Sequence, residues 1–397
     1  MGNANLTEAK RAKNDEFYTQ YADIEAEMNA YCEYDHDVFR GKTILCPCDD
    51  PEWSNFTRYF AANFTRLGLR KLISTSYAKG AANRQPTLFE LESPQYDAGK
   101  HETRGRIYTL TSDMNRNGSI DIDDLKWDYL QGDGDFRSEE VTQLRDEADF
   151  IITNPAFSTL RFFISWILDG DKKFIIIGNQ NAITYKEVFP LLRDNRIWLG
   201  PGFPGGAAYF KSPYEDTATS SQHREGYIRV SGVCWFTNVD HGLRHQPLKL
   251  DTMAHNLKYN RKLKKKLESY GTDMYPMYDN YNAIEVPYTD AIPSDYMGVM
   301  GVPITFLDKY CPEQFEIVGA RKGADGRDLS IERESPAVLP NPHTPSTPGL
   351  LNNPKDTKVR GKSTYARVLI RRKHGCGCSS HHLSPCESSE DTGRCES

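Results

Sequence analysis

The run from Asp149 to Thr153 constrains this chain most. Phe150, Ile151, Ile152 and Thr153 follow one another without a polar break, and Asn154-Pro155 stops them. A short apolar run that does not alternate and ends in a turn pair fits a strand buried on both faces. Strands of that kind lie in sheets covered by helices on either side. Comparable runs occupy residues 42–46, 71–77, 106–111 and 173–177, the last ending at Gly178-Asn179. Between them, residues 54–67, 124–130, 138–147 and 159–168 read as helical, and the first forty residues as helix and loop. Residues 226–236 alternate as one later strand. Strands alternating with helices predict βαβ units, a mostly parallel sheet and an α/β, Rossmann-like fold. Ligands of such sheets sit beyond the carboxyl ends of the strands. The polar turns at Asn154 and at residues 46–50 lie at two such ends.

A chain of 397 residues accommodates one large α/β domain and a smaller second one. The first is expected over residues 1–240. The second, over residues 241–375, is basic and rich in aromatic side chains, with a Pro-rich linker at 334–354. Residues 376–397 are small and polar and read as a disordered tail. No apolar run reaches the roughly 18 residues of a membrane helix. The opening residues hold no hydrophobic signal region, and Leu6 does not suit the myristoylation pattern. The expected location is therefore the cytoplasm of a bacterium, or of one infected by a phage, with no membrane partner. Nine cysteines, five of them scattered (Cys32, Cys46, Cys48, Cys234 and Cys311), suit reduced thiols. A net charge of −6 argues against indiscriminate nucleic-acid binding, yet the charge is unevenly spread. Residues 241–270 carry eight Lys or Arg against two acidic residues, and residues 355–374 eight against one. The Lys262–Lys266 run, placed on a helix over residues 259–270, and the strand 365–373 are candidates for phosphate contacts, although charged faces are commonly just solvated.

Thr153-Asn-Pro-Ala-Phe157 resembles the Asn-Pro-Pro-Phe/Tyr loop of amino-directed methyltransferases, and that resemblance makes Asn154, Pro155 and Phe157 the candidate catalytic residues. An adenine amino group is a poor nucleophile because its lone pair is delocalised into the ring. An Asn side-chain oxygen and the carbonyl of the following Pro can accept its two hydrogens and favour a pyramidal nitrogen. That is positioning and electrostatics rather than strong base chemistry. Phe157 can stack on a base extruded from a duplex. An Asn-Pro turn after a strand is also common without any such role.

Beyond this loop, further segments carry a closer likeness. These are Lys13-Asn-Asp-Glu-Phe-Tyr-Thr-Gln20, the segment Ile44–Phe56, Gly132-Asp-Gly-Asp-Phe-Arg-Ser138, the segment Gly298–Tyr310, and Tyr365–Lys373. Over roughly residues 10–374 the chain resembles the EcoRI-type adenine-specific DNA methyltransferases. The resemblance implies a site-specific enzyme that transfers a methyl group from S-adenosylmethionine (AdoMet) to the 6-amino group of a flipped adenine. It implies that Phe17, Tyr18, Thr19, Pro47 and Asp49 hold the methionine end of AdoMet, and that Asp135 and Phe136 hold its adenine. It further implies double-stranded DNA as partner, a restriction-modification setting with a cognate endonuclease, and a monomer. Other acceptor amino groups (cytosine, RNA, protein glutamine), or DNA binding without catalysis, are the alternatives.

Two features depart from the general pattern. The Phe-x-Gly-x-Gly loop of AdoMet enzymes is replaced by residues 46–52, an oddity the EcoRI group shares. Ala156 stands where the usual loop has a second Pro, a loss of stiffness of up to about 1 kcal/mol. No metal is expected at the catalytic centre, because a sulfonium is already an activated electrophile. Residues 113–124 match the spacing of a calcium loop, though without a preceding helix, and read alternatively as a turn capping a helix at Asp124. The Cys and His residues of the tail match no closed zinc pattern. Residues 200–206 lack the Lys-Ser/Thr of a phosphate loop and read as a mobile loop near the active site.

Overall fold

The structure is a computed structural model that describes residues 19–47, 49, 54–78, 96–203, 206–211, 227–278, 282–321, 357–359, 362–364 and 366–373. Phe17, Tyr18, the Pro-rich linker and the tail lie outside the described residues.

The strands, in chain order, are β1 (Thr43–Pro47), β2 (Lys71–Ser76), β3 (Arg106–Leu110), β4 (Lys126–Tyr129), β5 (Phe150–Thr153), β6 (Lys173–Asn179) and β7 (Trp198–Leu199), then β8 (Ala207–Lys211), β9 (Tyr227–Ser231) and β10 (Val233–Thr237). Among the described residues, eight strands form one sheet in the order β4-β3-β2-β1-β5-β6-β10-β7. Only the central quartet, β2-β1-β5-β6, is parallel. The flanks pair antiparallel, so the expected mostly parallel sheet is a mixed one. On the β3–β4 flank the burial pattern agrees. β1 and β5 are buried at every position, whereas β3 and β4 alternate as half-exposed strands do.

Each face of the sheet carries its own core. Helices α1 (Tyr21–Tyr34) and α2 (Asn55–Ala62) bury Ile24, Met28, Phe56 and Phe60 with Phe150, Ile152, Ile175 and Ile177. Helices α3 (Glu139–Glu147) and α4 (Leu160–Asp169) bury Val141, Phe163 and Ile164 with Ile151, Phe174 and Ile176. Successive side chains of β5 and β6 thus alternate between the two cores, which makes each run apolar throughout. Caps fix where helices begin: Ser54 Oγ accepts from Phe56 N and Ser138 Oγ from Val141 N.

Three expectations need correction. Residues 126–129 form β4 rather than a helix, because Trp127 and Tyr129 are buried while Lys126 and Asp128 are exposed. The Asp124 carboxylate, read as the start of that helix, instead accepts from Met114 N at 2.8 Å and Asn115 N at 2.9 Å. The run 226–236 is two strands, broken at Gly232, whose φ of +74° turns the chain. β9 closes a hairpin with β8, and β10 joins the main sheet. The helix placed over 259–270 begins at Arg261, since Asn260 ends one helix, α5 (Met253–Tyr259), and caps the next, α6 (Arg261–Tyr270).

Beyond α6 lie β11 (Ala283–Glu285), β12 (Val299–Pro303), β13 (Phe315–Arg321), a small hairpin of β14 (Thr357–Val359) and β15 (Lys362–Thr364), and β16 (Arg367–Arg372). A second sheet, β11-β12-β16-β13, sends Ile284, Met300, Val302, Phe315 and Ile370 into the core beneath α3 and α4. The arginines of β16 serve this packing. Arg367 is buried against Glu285 at 2.7 Å, with Tyr270 and Tyr278 completing the carboxylate's partners. Arg371 pairs with Glu316 at 3.0 Å, and Arg372 donates to the Ser294 carbonyl. On α6, Arg261, Lys262, Lys264 and Lys265 are exposed while Leu263, Leu267 and Tyr270 are buried; at the end of β16, Arg371 and Lys373 are exposed as well.

Candidate active site

The chain runs from β1 outward to β2, and from β5 in the opposite direction to β6. The connections therefore diverge between β1 and β5, the place where open α/β sheets bind ligands. Two loops leave the sheet there, after Pro47 and after Thr153.

Asp49 organises the first loop. It is buried, and one carboxylate oxygen accepts from Ser54 Oγ at 2.5 Å while the other meets the Thr153 hydroxyl. Thr153 Oγ1 also lies 2.6 Å from the Pro47 carbonyl, so one hydroxyl hydrogen stands between two acceptors. Asp49 N donates to Thr75 O at 2.7 Å, and Asp49 O accepts from Thr57 and Ser74. A single residue thus ties the carboxyl ends of β1, β2 and β5 to the start of α2.

Asn154 heads the second loop. Its Nδ2 donates to Thr19 Oγ1 at 3.3 Å, and Thr19 is held in turn by Asn55 Nδ2, which donates to its carbonyl at 2.8 Å. Because the amide nitrogen is turned toward Thr19, the amide oxygen faces the other way. Pro155 is buried, and the Ala156 carbonyl accepts from Thr159 N and Oγ1, both at 3.0 Å. Phe157 is 8% exposed and belongs to the core that also holds Phe56, Phe210 and Trp235.

Across β1, the ends of β2 and β3 meet the loop carrying Asp135. A β-carbon on Gly134 would lie 2.3 Å from the Ser76 carbonyl, and one on Gly105 2.6 Å from the same atom. Gly134 also has φ +81°, which glycine adopts freely. Ala78 N donates to Asp133 O at 2.8 Å, drawing the loop onto the strand end. Asp135 accepts from Arg137 Nε at 2.9 Å and Nη2 at 2.6 Å. Phe136 packs edge-on against Phe163 and Trp166, at 5.0 and 5.6 Å between centroids. The Thr75 hydroxyl, buried at the end of β2, has no protein partner among the described residues. Gly105 and Gly134 thus let the backbone of the Asp135 loop pack directly on the end of β2, beside the buried Thr75 hydroxyl.

The structure thus brings Thr19, Pro47, Asp49, Asn154 and Pro155 together at the ends of β1 and β5, with Asp135 and Phe136 on the β2 side. Thr153, Gly105 and Gly134 escaped sequence reasoning as site residues, although Gly134 lies inside one of the segments singled out. Glu27 was also missed. It is fully buried in α1, accepting from Tyr31 Oη at 2.7 Å and from Gly202 N at 2.6 Å. Residues 200–203 are accordingly packed rather than mobile. Gly200 and Gly202 leave no room for a β-carbon beside Glu27 and Trp235, and Phe203 stacks on Trp235 at 5.5 Å. From this loop β8 departs, held to the Thr19 region by Gln20 Nε2, which donates to Tyr209 O at 2.8 Å.

Burial pushes the Glu27 carboxyl from 4.5 up to about 8, against the pull of its two hydrogen bonds. The folded state then holds a proton that the unfolded state releases above pH 4.5. Glu27 therefore favours folding at low pH, and that contribution is lost as pH rises from about 4.5 to about 8. Melting curves of the wild type and E27Q between pH 5 and 9 should diverge, the wild type losing about 1.4 kcal/mol per pH unit relative to the variant within that window. Parallel curves would show that Glu27 does not titrate there.

The family model for adenine-specific methyltransferase EcoRI matches residues 5–373 of the chain. Type II methyltransferase M.EcoRI of Escherichia coli is 40% identical over 337 residues, which cover 83% of this chain and 93% of that protein. Type II methyltransferase M.MpnI of Mycoplasma pneumoniae is 29% identical over 372 residues, covering 92% and 97%. Type II methyltransferase M.MgeORF184P of Mycoplasma genitalium is 30% identical over 377 residues, covering 92% and 98%. No solved structure matches the chain.

Proposed function

The chain belongs to the EcoRI family of adenine-specific methyltransferases, and from that premise we propose that Asn154 and Pro155 are its catalytic pair, acting on adenine in duplex DNA. One observation carries the assignment. Asn154 stands at the switch point of the sheet, at the carboxyl end of β5, where its side chain meets Thr19 beside the Asp49 loop.

The methyl donor is proposed to be AdoMet. Thr19, Pro47 and Asp49 would hold its methionine end, together with Phe17 and Tyr18, which lie outside the described residues. Asp135 and Phe136 would hold its adenine, on the loop that Gly105 and Gly134 allow to pack against Ser76. Bound there, AdoMet supplies a methyl group on a sulfonium, an electrophile that needs no metal to activate it.

Asn154 Oδ1 and the Pro155 carbonyl accept the two hydrogens of the adenine amino group. This draws the nitrogen lone pair out of conjugation and aims it along the transfer direction. The surplus proton leaves to solvent. Phe157 is proposed to stack on the extruded base; with 8% of its surface open, the ring must be uncovered as the base enters. The region 241–375 is proposed to read the target, with the exposed Arg261, Lys262, Lys264 and Lys265 of α6 placed to meet phosphates. No helix among the described residues is long and apolar enough to cross a membrane. We take the enzyme as a cytoplasmic monomer with a cognate endonuclease as the companion activity.

The test is incubation with methyl-labelled AdoMet and duplex DNA of mixed sequence. Label should appear as 6-methyladenine within a fixed motif. Folded, AdoMet-binding protein that labels cytosine, RNA or protein instead, or nothing at all, would overturn the proposal.

A further inference from the structure

Two acceptors on an amino group do not by themselves identify adenine, because cytosine also carries an exocyclic amino group. The ring nitrogens of adenine bear no hydrogen, so reading them takes a donor; N1 has a counterpart in cytosine N3, whereas N3 and N7 have none and set the purine apart. The carboxyl edge of β6, next to the catalytic strand, supplies one. Thr153 is in register with Ile176, so Asn154 lies level with Ile177 and Gln180 stands three residues further along the same edge. At about 3.3 Å per residue this separation is on the order of 10 Å, comparable to a base with a hydrogen bond at each end. β6 cannot drift away from the catalytic loop, because Gly178 is packed against Leu160, the first residue of the helix that follows the loop.

Gln180 is itself held firmly. Its backbone N–H donates to Gly232 O at 2.5 Å, and Asn179 Oδ1 accepts from Asn181 N at 2.9 Å, starting a turn that fixes the chain direction. The side chain is 9% exposed. Its amide oxygen lies beside the base of the β8–β9 hairpin, where a β-carbon on Gly206 would be 3.5 Å away. The other end of the amide, Nε2, is buried with no hydrogen-bond partner among the described residues. A buried donor left unsatisfied is costly, and in a native structure it needs an explanation. Asn154 and Gln180 together would offer what an adenine requires: acceptors for its amino group and a donor for a ring nitrogen.

We propose that Gln180 is a base-recognition residue, its Nε2 donating a hydrogen bond to a ring nitrogen of the adenine whose amino group is held at Asn154. The inference rests on the adenine reading above. It places one determinant of base identity in the methyltransferase sheet, where it acts on the extruded base rather than on the intact duplex.

The test uses the full-length enzyme and duplexes carrying its methylated motif, with adenine, 1-deazaadenine, 3-deazaadenine or 7-deazaadenine at the target position. The wild type should lose kcat/KM by about 5- to 100-fold on one of the three deaza duplexes, the range expected for a single hydrogen bond to a buried donor. Q180M, close in volume but without a donor, should lose a similar factor on adenine and show no further loss on that same deaza duplex. AdoMet affinity and melting temperature should be those of the wild type. Equal tolerance by the wild type of all three deaza bases would overturn the proposal whether or not the variant folds. So would a Q180M enzyme that keeps full kcat/KM on adenine, or one that still discriminates every deaza base as the wild type does. Failure of the wild type to methylate the unmodified duplex would instead strike at the adenine reading itself.

Discussion

Asn154→Ala should lower methyl transfer to DNA by about 10²–10³-fold, the usual cost of removing one preorganised polar group from a reacting centre, while AdoMet affinity stays within about a factor of three. The reasoning is geometric. In the proposed arrangement the side chain offers its oxygen to the substrate amino group, and its nitrogen meets Thr19 on the cofactor side, over 3.3 Å. Thr19 keeps its second tie, to Asn55. Isothermal titration with AdoMet and a single-turnover rate on DNA separate the two effects. Equal loss of both would show that Asn154 holds the cofactor pocket together and does not act on the base. Position 156 is the control. The carbonyl assigned to catalysis belongs to Pro155, so Ala156→Pro should change the rate by less than about fivefold, the equivalent of roughly 1 kcal/mol of backbone stiffening.

The strand that ends at Asn154 was legible in the sequence for a physical reason, while the catalytic reading of its loop came from the family resemblance. A strand buried on both faces must be apolar at every position, so β5 and β6 announce themselves, and a loop at such a strand end is a natural ligand site. The antiparallel flanks were not legible, because pairing partners are chosen by tertiary packing. β4 looked helical in a short window, and its period of two shows only once Trp127 and Tyr129 are known to be inside. A count of charges does not say which way a side chain points: α6 turns four cations outward, whereas on β16 Arg371 is exposed and Arg367 is buried. Arg367 sits against a buried Glu285, and breaking such a pair costs about 3–5 kcal/mol, so it is bound to the fold rather than free for phosphate. The contacts that make the site also span long separations. Thr19 meets Asn154, and Asp49 meets Thr153, over more than a hundred residues. Family resemblance pointed to Thr19, Asp49 and Asn154 separately, and nothing local in the sequence could show that they touch.

Gly134→Ala tests the cofactor side of the site and should give the largest combined loss. Alanine at φ +81° is strained by roughly 1–2 kcal/mol, and its β-carbon would fall 2.3 Å from the Ser76 carbonyl. That carbonyl has little freedom to retreat, because β2 is paired on one side with β1 and on the other with β3, where Ser76 faces Arg106. The loop must therefore lift off the strand end, taking Asp135 and Phe136 with it. We expect about 2–4 kcal/mol of destabilisation and AdoMet binding at least about tenfold weaker, the equivalent of 1.4 kcal/mol. Gly118→Ala provides the comparison. Gly118 has φ +92°, but nothing lies within 4 Å of a β-carbon there. It should show backbone strain alone, lowering the melting temperature modestly and leaving AdoMet binding unchanged. If the two variants bind AdoMet equally well, the close approach of Gly134 to Ser76 shapes the fold and not the cofactor pocket, and Asp135 and Phe136 lose their assigned roles. If only Gly134→Ala weakens binding, the bare backbone between β2 and β3 does the work that a glycine loop after the first strand performs in most enzymes of this chemistry.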